Sequence, residues 1–277
     1  MLKQRIITAL VMALIILLAL VFLPFIGFSL LLIAVFSVAA WEWADLSGFA
    51  GLWRYLYALA LAAVMLTLAW YCGLFHGVNI DCLRDIFGVA GIGWAIALLW
   101  VMSYPGSAAL WGSRFMRATI GLVVLVPSAL ALIYLTSLDN GKWYFVYMVL
   151  IVAAADIGAY FSGRAFGKRK LAPHVSPGKS WAGFFGGLLS TALLAVITSS
   201  FFSIADLGML QLLLVTLFAG LASVLGDLLE SMVKRHRGIK DSSQLLPGHG
   251  GIMDRIDSVT AAAPVFALLL ILLQQAA

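Results

Sequence analysis

The residues best suited to chemistry in this sequence lie between positions 227 and 257. Asp227, Glu230, Ser231 and Lys234 are spaced i, i+3, i+4 and i+7, so they share one face of a helix. Asp254 and Asp257 are spaced i and i+3, so they face the same way on a helical turn. One or two carboxylates that leave water positions open suit Mg²⁺, which often shares the phosphates of a substrate. The pattern therefore predicts a metal site formed by Asp227, Asp254 and Asp257.

Basic residues and glycines around these carboxylates complete the parts of a phosphoryl or nucleotidyl transfer site. The basic side chains would neutralise phosphate charge, and the backbone N–H groups of the turn at 249–251 could approach phosphate oxygens closely. Three competing interpretations remain at this point: an ordinary turn at 249–251, a salt-bridged stripe that joins Asp227 to Lys234, and salt bridges that pair the three aspartates with Lys234 and Arg255 instead of a metal. The predicted catalytic residues are Asp227, Ser231, Lys234, Arg235, Lys240, Asp241, His249 and Arg255.

A second group of polar residues follows an apolar segment at 143–165. Asp156 lies inside that segment, where it serves either a function or a structural hydrogen bond to a neighbouring helix. The stretch SPGKSW at 176–181 sets Ser, Gly and Lys at a helix start, where an anion could bind. It lacks the G-x-x-x-x-G-K-[ST] spacing of a P-loop. The predicted substrate-binding residues are Ser176, Lys179, Arg164, Gly250 and Gly251.

The composition excludes a soluble protein. The 277 residues are 64% hydrophobic and 10% charged, and the mean hydropathy is +1.08. Since a helix needs about 20 residues to cross the hydrocarbon core, the long apolar runs predict an all-α, polytopic membrane protein. A β-barrel would instead need short segments of alternating hydrophobicity. The nine predicted spans are 5–22, 26–44, 53–72, 87–104, 117–136, 143–165, 183–203, 208–230 and 258–274.

The basic residues predict how these spans are oriented. With the N-terminus in the cytoplasm, all but two of the 17 Lys and Arg residues fall in cytoplasmic segments, and only Arg84 and Lys142 are external. The C-terminus is then external. Cys72 and Cys82 fall near one external loop, where they would either form a disulfide or stay unpaired. We predict an N-terminal region at 1–140 and a catalytic region at 141–277, with charged cytoplasmic loops at 164–182 and 231–257.

Residues 231–257 resemble the signature of the phosphatidate cytidylyltransferases, also called CDP-diacylglycerol synthases. That signature places Ser, Lys-Arg, Lys-Asp, Pro-x-His-Gly-Gly and Asp-Arg-x-Asp at fixed spacing, and this chain matches every position. The stretch at 176–181 also looks like a family motif, commonly Ser-Pro-Lys-Lys-Thr-Trp-Glu-Gly. This chain departs from it at Gly178, Ser180 and Ala182, which leaves the roles in that loop less defined.

The resemblance implies that CTP and phosphatidate react to give CDP-diacylglycerol and pyrophosphate, with Mg²⁺ required and room for a second cation. The lipid phosphate would attack the α-phosphorus directly, so no nucleophilic side chain is needed. The implied partners are CTP, phosphatidate and membrane lipids, without nucleic acid, and a homodimer stays open. The implied location is the inner membrane of a bacterium, with the active site facing the cytoplasm.

Two other hypotheses stay open. A CTP-dependent polyprenol or dolichol kinase would share a CTP site at the membrane but would transfer the γ-phosphate. A membrane transporter would use Asp156 and Asp227 as intramembrane ion sites. Against the transporter, the two halves of the sequence show no repeat, and the polar residues gather on one side of the membrane rather than at its midplane.

Overall fold

A computed structural model describes residues 2–201 and 207–276 of the chain. The predicted end of the seventh span at position 203 and the predicted external C-terminus at Ala277 lie outside the described residues. The side chains of Lys3 and Arg5, which contribute to the predicted orientation, also lie outside them.

The described part of the chain consists of long α-helices with one short helix and one β-hairpin. Eight of the helices are long and apolar enough to cross a membrane, and the first helix has a shorter apolar stretch, Leu10–Phe22. Each predicted span coincides with a long helix, which confirms the all-α polytopic class. The elements are α1 (Leu2–Phe22), α2 (Phe25–Leu46), α3 (Leu52–Tyr71), α4 (Ile80–Met102), α5 (Ala108–Trp111), α6 (Arg114–Ser137), α7 (Gly141–Phe166), β1 (Lys170–Ala172), β2 (Ser176–Ser180), α8 (Trp181–Phe201), α9 (Met209–Arg237) and α10 (Met253–Ala276).

The predicted limits of three spans were wrong by several residues. Helix α4 begins at Ile80 rather than at 87, and the other two errors concern the last two spans. Helix α9 continues seven residues beyond position 230 and ends where Gly238 adopts a left-handed conformation, with φ of 76°. Helix α10 begins at Met253 rather than at 258. The predicted spans end where charged residues lower the hydropathy, whereas both helices continue through Glu230, Lys234 and Asp254, which are buried and paired with one another.

Close packing brings the functional helices together. Helices α9 and α10 are neighbours, and Gly226 of α9 lies directly against the carbonyl of Asp257 in α10. Helix α8 packs on α7 through small residues, and a Cβ on Gly187 would come within 2.7 Å of the Ala155 carbonyl oxygen. Helix α6 is the most deeply buried of the eight spanning helices in the described residues. The C-terminal helices therefore hold their polar ends in fixed positions relative to one another.

The two cysteines form a disulfide, so one of the two alternatives for them is confirmed. Cys72 follows the last residue of α3, and Cys82 lies in the first turn of α4, with 5.5 Å between their Cα atoms. The side chain of Asn79 caps this turn, because its Oδ1 accepts a hydrogen bond from the Cys82 N–H at 3.1 Å. The disulfide thus fixes the turn between α3 and α4.

Candidate active site

A polar cavity of about 380 Å³ lies among helices α7, α9 and α10 and the loop that joins the last two helices. Among the described residues, all of the predicted catalytic residues except His249 line it, as do all three predicted metal ligands. The predicted convergence of these side chains is therefore present. The wall consists of Asp156, Asp227, Ser231, Lys234, Arg235, Lys240, Asp241, Asp254, Arg255, Asp257 and Ser258.

Lys234 is a buried cation held between two carboxylates. Its Nζ lies 2.5 Å from Asp254 Oδ1 and also pairs with Glu230, one turn earlier on α9. All three side chains are at most 10% exposed. Burial of these charges would be costly unless they were paired, so the triad is a cross-link between α9 and α10. The stripe that joins Lys234 to Asp227 was therefore wrong, whereas the alternative salt bridge between Lys234 and Asp254 is present.

Asp254 organises the loop that precedes it. Its Oδ2 accepts hydrogen bonds from the N–H and the hydroxyl of Ser242, both at 2.9 Å, and from the N–H of Gly251 at 2.8 Å. Gly250 has a φ of +80°, and a Cβ there would lie 2.5 Å from the same carboxylate oxygen. The Gly251 N–H is thus used within the protein, which differs from the predicted contact of this turn with substrate phosphates.

His249 lies in the same turn but outside the cavity wall. Its N–H donates to the carbonyl of Leu246 at 2.9 Å. Its Nδ1 is buried and has no hydrogen-bond partner among the described residues. The structure therefore places the His249 side chain outside the cavity wall, and its predicted catalytic role stays a prediction.

Asp227 joins the two charged loops. Its Oδ2 lies 2.7 Å from the Nζ of Lys179 in β2, and its Oδ1 accepts a hydrogen bond from the Ser231 hydroxyl at 3.1 Å. The Asp227 and Lys179 side chains are 28% and 26% exposed, so both can reach a ligand. Because Lys179 comes from the earlier loop and Asp227 from α9, the two loops form one polar site.

The hairpin that carries Lys179 was not predicted. Strands β1 and β2 pair antiparallel and lead directly into α8, where the Ser180 hydroxyl accepts a hydrogen bond from the Gly183 N–H at 3.1 Å. The hydrophobicity of the spans gave no signal for so short a hairpin. Because of this hairpin, Lys179 lies on a short strand and pairs with Asp227 from there.

A second cavity of about 510 Å³ adjoins the first and shares Asp156 with it. Lys179 and Arg164 line this second cavity, and Arg164 donates a hydrogen bond to the Tyr160 hydroxyl at 3.0 Å. Ser176 lies opposite Ala172 in the hairpin and, within the described chain, outside both cavity walls. Of the residues predicted to bind substrate in the earlier loop, Lys179 and Arg164 thus line a cavity and Ser176 does not, and their roles stay predictions.

The carboxylates fit a divalent cation only in part. The described residues contain no group of three or more His, Cys, Asp or Glu side chains placed to hold a metal ion. The carboxylate of Asp254 is already occupied by Lys234, Ser242 and Gly251. Asp227 and Asp257 both line the cavity, and a pair of carboxylates suffices for Mg²⁺, which takes its other ligands from water and substrate phosphates.

Sequence reasoning missed one buried acidic residue, Glu42, and it placed Glu230 on the helix face of Asp227 and Lys234 without giving it a role. Glu42 lies in α2, and its carboxylate contacts the loop before α10. Glu230 is one partner of Lys234. An acidic residue inside an apolar segment indicates a functional or paired position, because its burial is costly. Glu42 in the second predicted span could have been identified on that ground.

Comparison with known proteins gives a consistent result over nearly the whole chain. The model of the family described as "Cytidylyltransferase family" matches residues 3–273. A phosphatidate cytidylyltransferase of Pseudomonas aeruginosa is 44% identical over 271 residues, which cover 98% of this chain and 97% of the relative. One of Haemophilus influenzae is 40% identical, with 96% and 98% covered, and one of Bacillus subtilis is 35% identical, with 98% of each covered. Together with the cavity that gathers the signature residues, these matches show that the chain belongs to the cytidylyltransferase family.

Proposed function

We propose that this protein is a phosphatidate cytidylyltransferase, which converts CTP and phosphatidate to CDP-diacylglycerol and pyrophosphate. The observation that carries the proposal is the polar cavity in which Asp227 of α9 meets Lys179 of the earlier loop at the end of spanning helices. A soluble nucleotide and a membrane lipid can both reach a site at that depth. The relatives named for this activity support the same conclusion.

In this proposal the side chains bind and orient phosphates. An oxygen of the phosphatidate phosphate forms a bond to the α-phosphorus of CTP, and the bond from that phosphorus to the bridging oxygen breaks. The electron pair of the broken bond leaves with pyrophosphate. Arg235, Lys240 and Arg255 of the cavity wall, with Lys179 beside it, supply positive charge where the phosphates would lie. No side chain needs to form a covalent intermediate.

We also propose that Asp227 and Asp257 hold Mg²⁺, with Asp156 at the edge of the same cavity. When bound, the ion would offset the charge of the phosphates. Asp257 Oδ1 accepts a hydrogen bond from the Ser258 N–H at 2.7 Å, which fixes the orientation of the carboxylate. A second cation and a homodimer remain predictions from the sequence.

The lipid would enter from the side of the hairpin. An apolar groove of about 570 Å³ runs between α4, α8, α9 and the hairpin. It shares Leu171, Phe184 and Val224 with the second cavity. That cavity shares Asp156 with the first. Acyl chains in the groove would therefore leave the phosphate near Lys179 and Asp227, and CTP would enter beside the loop before α10.

The position of the label in the product tests this function. Purified protein receives phosphatidate, Mg²⁺ and CTP labelled at either the α- or the γ-phosphate. The cytidylyltransferase should move the α-label into an organic-soluble cytidine lipid and release the γ-label as pyrophosphate. A γ-label in the lipid fraction, with release of CDP, would establish the kinase hypothesis instead. Absence of CTP turnover with any lipid phosphate or alcohol would contradict both enzymes.

The proposed orientation, with the site facing the cytoplasm of a bacterial inner membrane, has its own test. Gly178 in the hairpin and Asp139 between α6 and α7 are exposed and fall on opposite predicted sides. The native cysteines are paired and do not compete for a thiol reagent. In intact cells Asp139→Cys should react with an impermeant maleimide, and Gly178→Cys should react only after lysis. The reverse pattern would invert the orientation.

A further inference from the structure

Glu42 belongs to the N-terminal half of the chain, yet it holds the loop of the candidate site. Its side chain is completely buried at the end of α2. Oε1 accepts hydrogen bonds from the Ser243 hydroxyl at 2.6 Å and the Ile252 N–H at 3.0 Å. Oε2 accepts from the Met253 N–H at 2.6 Å and the Ser242 hydroxyl at 3.1 Å. One carboxylate thus faces four donors from the loop and the first residue of α10, and it shares the single hydrogen of the Ser242 hydroxyl with Asp254.

Two of these donors lie at the start of α10. The first N–H groups of a helix have no partner within the helix, and a negative charge there is favoured by the helix dipole. Glu42 therefore caps α10 from a different helix. A Cβ on Gly251 would collide with the Glu42 carboxylate, so glycine at this position is what permits the approach.

The same carboxylate is linked to the cavity through Ser242. The Ser242 hydroxyl lies 3.1 Å from Glu42 Oε2 and 2.9 Å from Asp254 Oδ2. Asp254 in turn binds Lys234 of α9. A continuous set of contacts therefore runs from α2 through the loop to α9, and it fixes the first turn of α10, which carries Arg255 and Asp257.

We propose that Glu42 is a positioning residue for the transfer reaction: it anchors the loop and the start of α10 so that Arg255 and Asp257 face Asp227 across the cavity. This inference rests on the proposed function. Glu42 touches the loop rather than the reacting atoms, so its effect on turnover passes through the geometry of the two cavity residues. Small displacements of such groups are costly, because a shift of about 1 Å can lower the rate about 100-fold.

The test compares Glu42→Gln with the control Asp45→Asn. Asp45 lies on the same helix, but its carboxylate is one third exposed and lies 3.9 Å from Arg54 and 4.0 Å from Arg237. Glutamine keeps the size of Glu42 but replaces one acceptor oxygen with a donor NH₂ group, so one or more of the four donors loses its partner. We expect kcat to fall at least about tenfold, with a smaller change in the KM for CTP, since positioning acts on the transition state. Asp45→Asn should retain wild-type kcat, and Glu42→Asp, which keeps the charge, should recover part of the loss.

Amide hydrogen exchange gives a readout that does not depend on activity. In Glu42→Gln the amides of Ile252 and Met253 should exchange faster than in the wild type, while those of α6 stay protected. Unchanged exchange and unchanged kcat would overturn the proposal, and so would a kcat loss fully explained by a lower folded fraction. If Glu42→Gln does not fold, Ser243→Ala provides a second test. It removes one hydrogen bond to Glu42 and should still lower kcat, and a normal kcat there would overturn the proposal.

A wild type without CTP turnover would instead overturn the proposed function. Faster exchange in Glu42→Gln would still show that Glu42 anchors the loop.

Discussion

Asp227→Asn is expected to abolish nearly all CTP turnover while leaving the protein folded. Asn keeps the size of Asp227 but removes the charge that pairs with Lys179 at 2.7 Å and that would bind Mg²⁺. A catalytic ion is worth several kcal/mol, and each 1.4 kcal/mol is a factor of ten, so we expect a loss of about a hundredfold or more. Because the side chain is 28% exposed, its neutralisation should cost little stability.

The measurement is CTP turnover as a function of Mg²⁺ concentration, with thermal unfolding as a check on folding. Asp85→Asn is the matched control, since its carboxylate is 76% exposed near the start of α4 and far along the chain from the cavity residues. The control should behave as the wild type. Wild-type turnover and an unchanged Mg²⁺ response in Asp227→Asn would show that the carboxylate is not part of the site.

Lys234→Met is expected to cause the largest loss of stability among the cavity variants. The substitution would leave Glu230 and Asp254 buried without their shared cation, and the two side chains are only 1% and 5% exposed. Breaking a buried ion pair by removing one partner typically costs about 3–5 kcal/mol. The unfolding midpoint of the detergent-solubilised protein should fall clearly.

The control for this prediction is Lys170→Met, which removes an exposed lysine from β1. Surface changes of this kind usually alter stability by less than about 0.5 kcal/mol. If Lys234→Met and Lys170→Met unfold at the same temperature, the triad of Lys234, Glu230 and Asp254 does not hold α9 to α10.

The spans could be predicted because a helix that crosses a membrane must be apolar over a fixed length. The same criterion misplaced the ends of α9 and the start of α10, since the residues beyond positions 230 and before 258 are charged. Several of those charges line the cavity. The start of α4, placed seven residues too late, carries Asp81, Arg84 and Asp85, which lie outside the cavity wall, so the boundary errors fall at charged helix ends in general.

The residues that line the cavity could be predicted from the sequence better than the pairs that their side chains form. The spacing of Asp227, Ser231 and Lys234 indicated a shared helix face, and all three line the cavity. The pairing of Lys234 with Asp254, and the reach of Glu42 to Met253, join residues that are far apart in the sequence. Such pairings depend on how helices pack: the sequence offered a salt bridge from Lys234 to these aspartates only as one alternative, and it indicated no partner for Glu42.

The central claim is that CTP and Mg²⁺ bind in the cavity between α7, α9 and α10. The most direct measurement is an experimental structure of the protein with Mg²⁺ and a non-hydrolysable CTP analogue. We expect a triphosphate beside Arg255 and Lys179, with the ion about 2.0–2.1 Å from a carboxylate oxygen of Asp227 or Asp257. A nucleotide bound elsewhere, or one bound in the cavity with its ion away from both carboxylates, would contradict this claim.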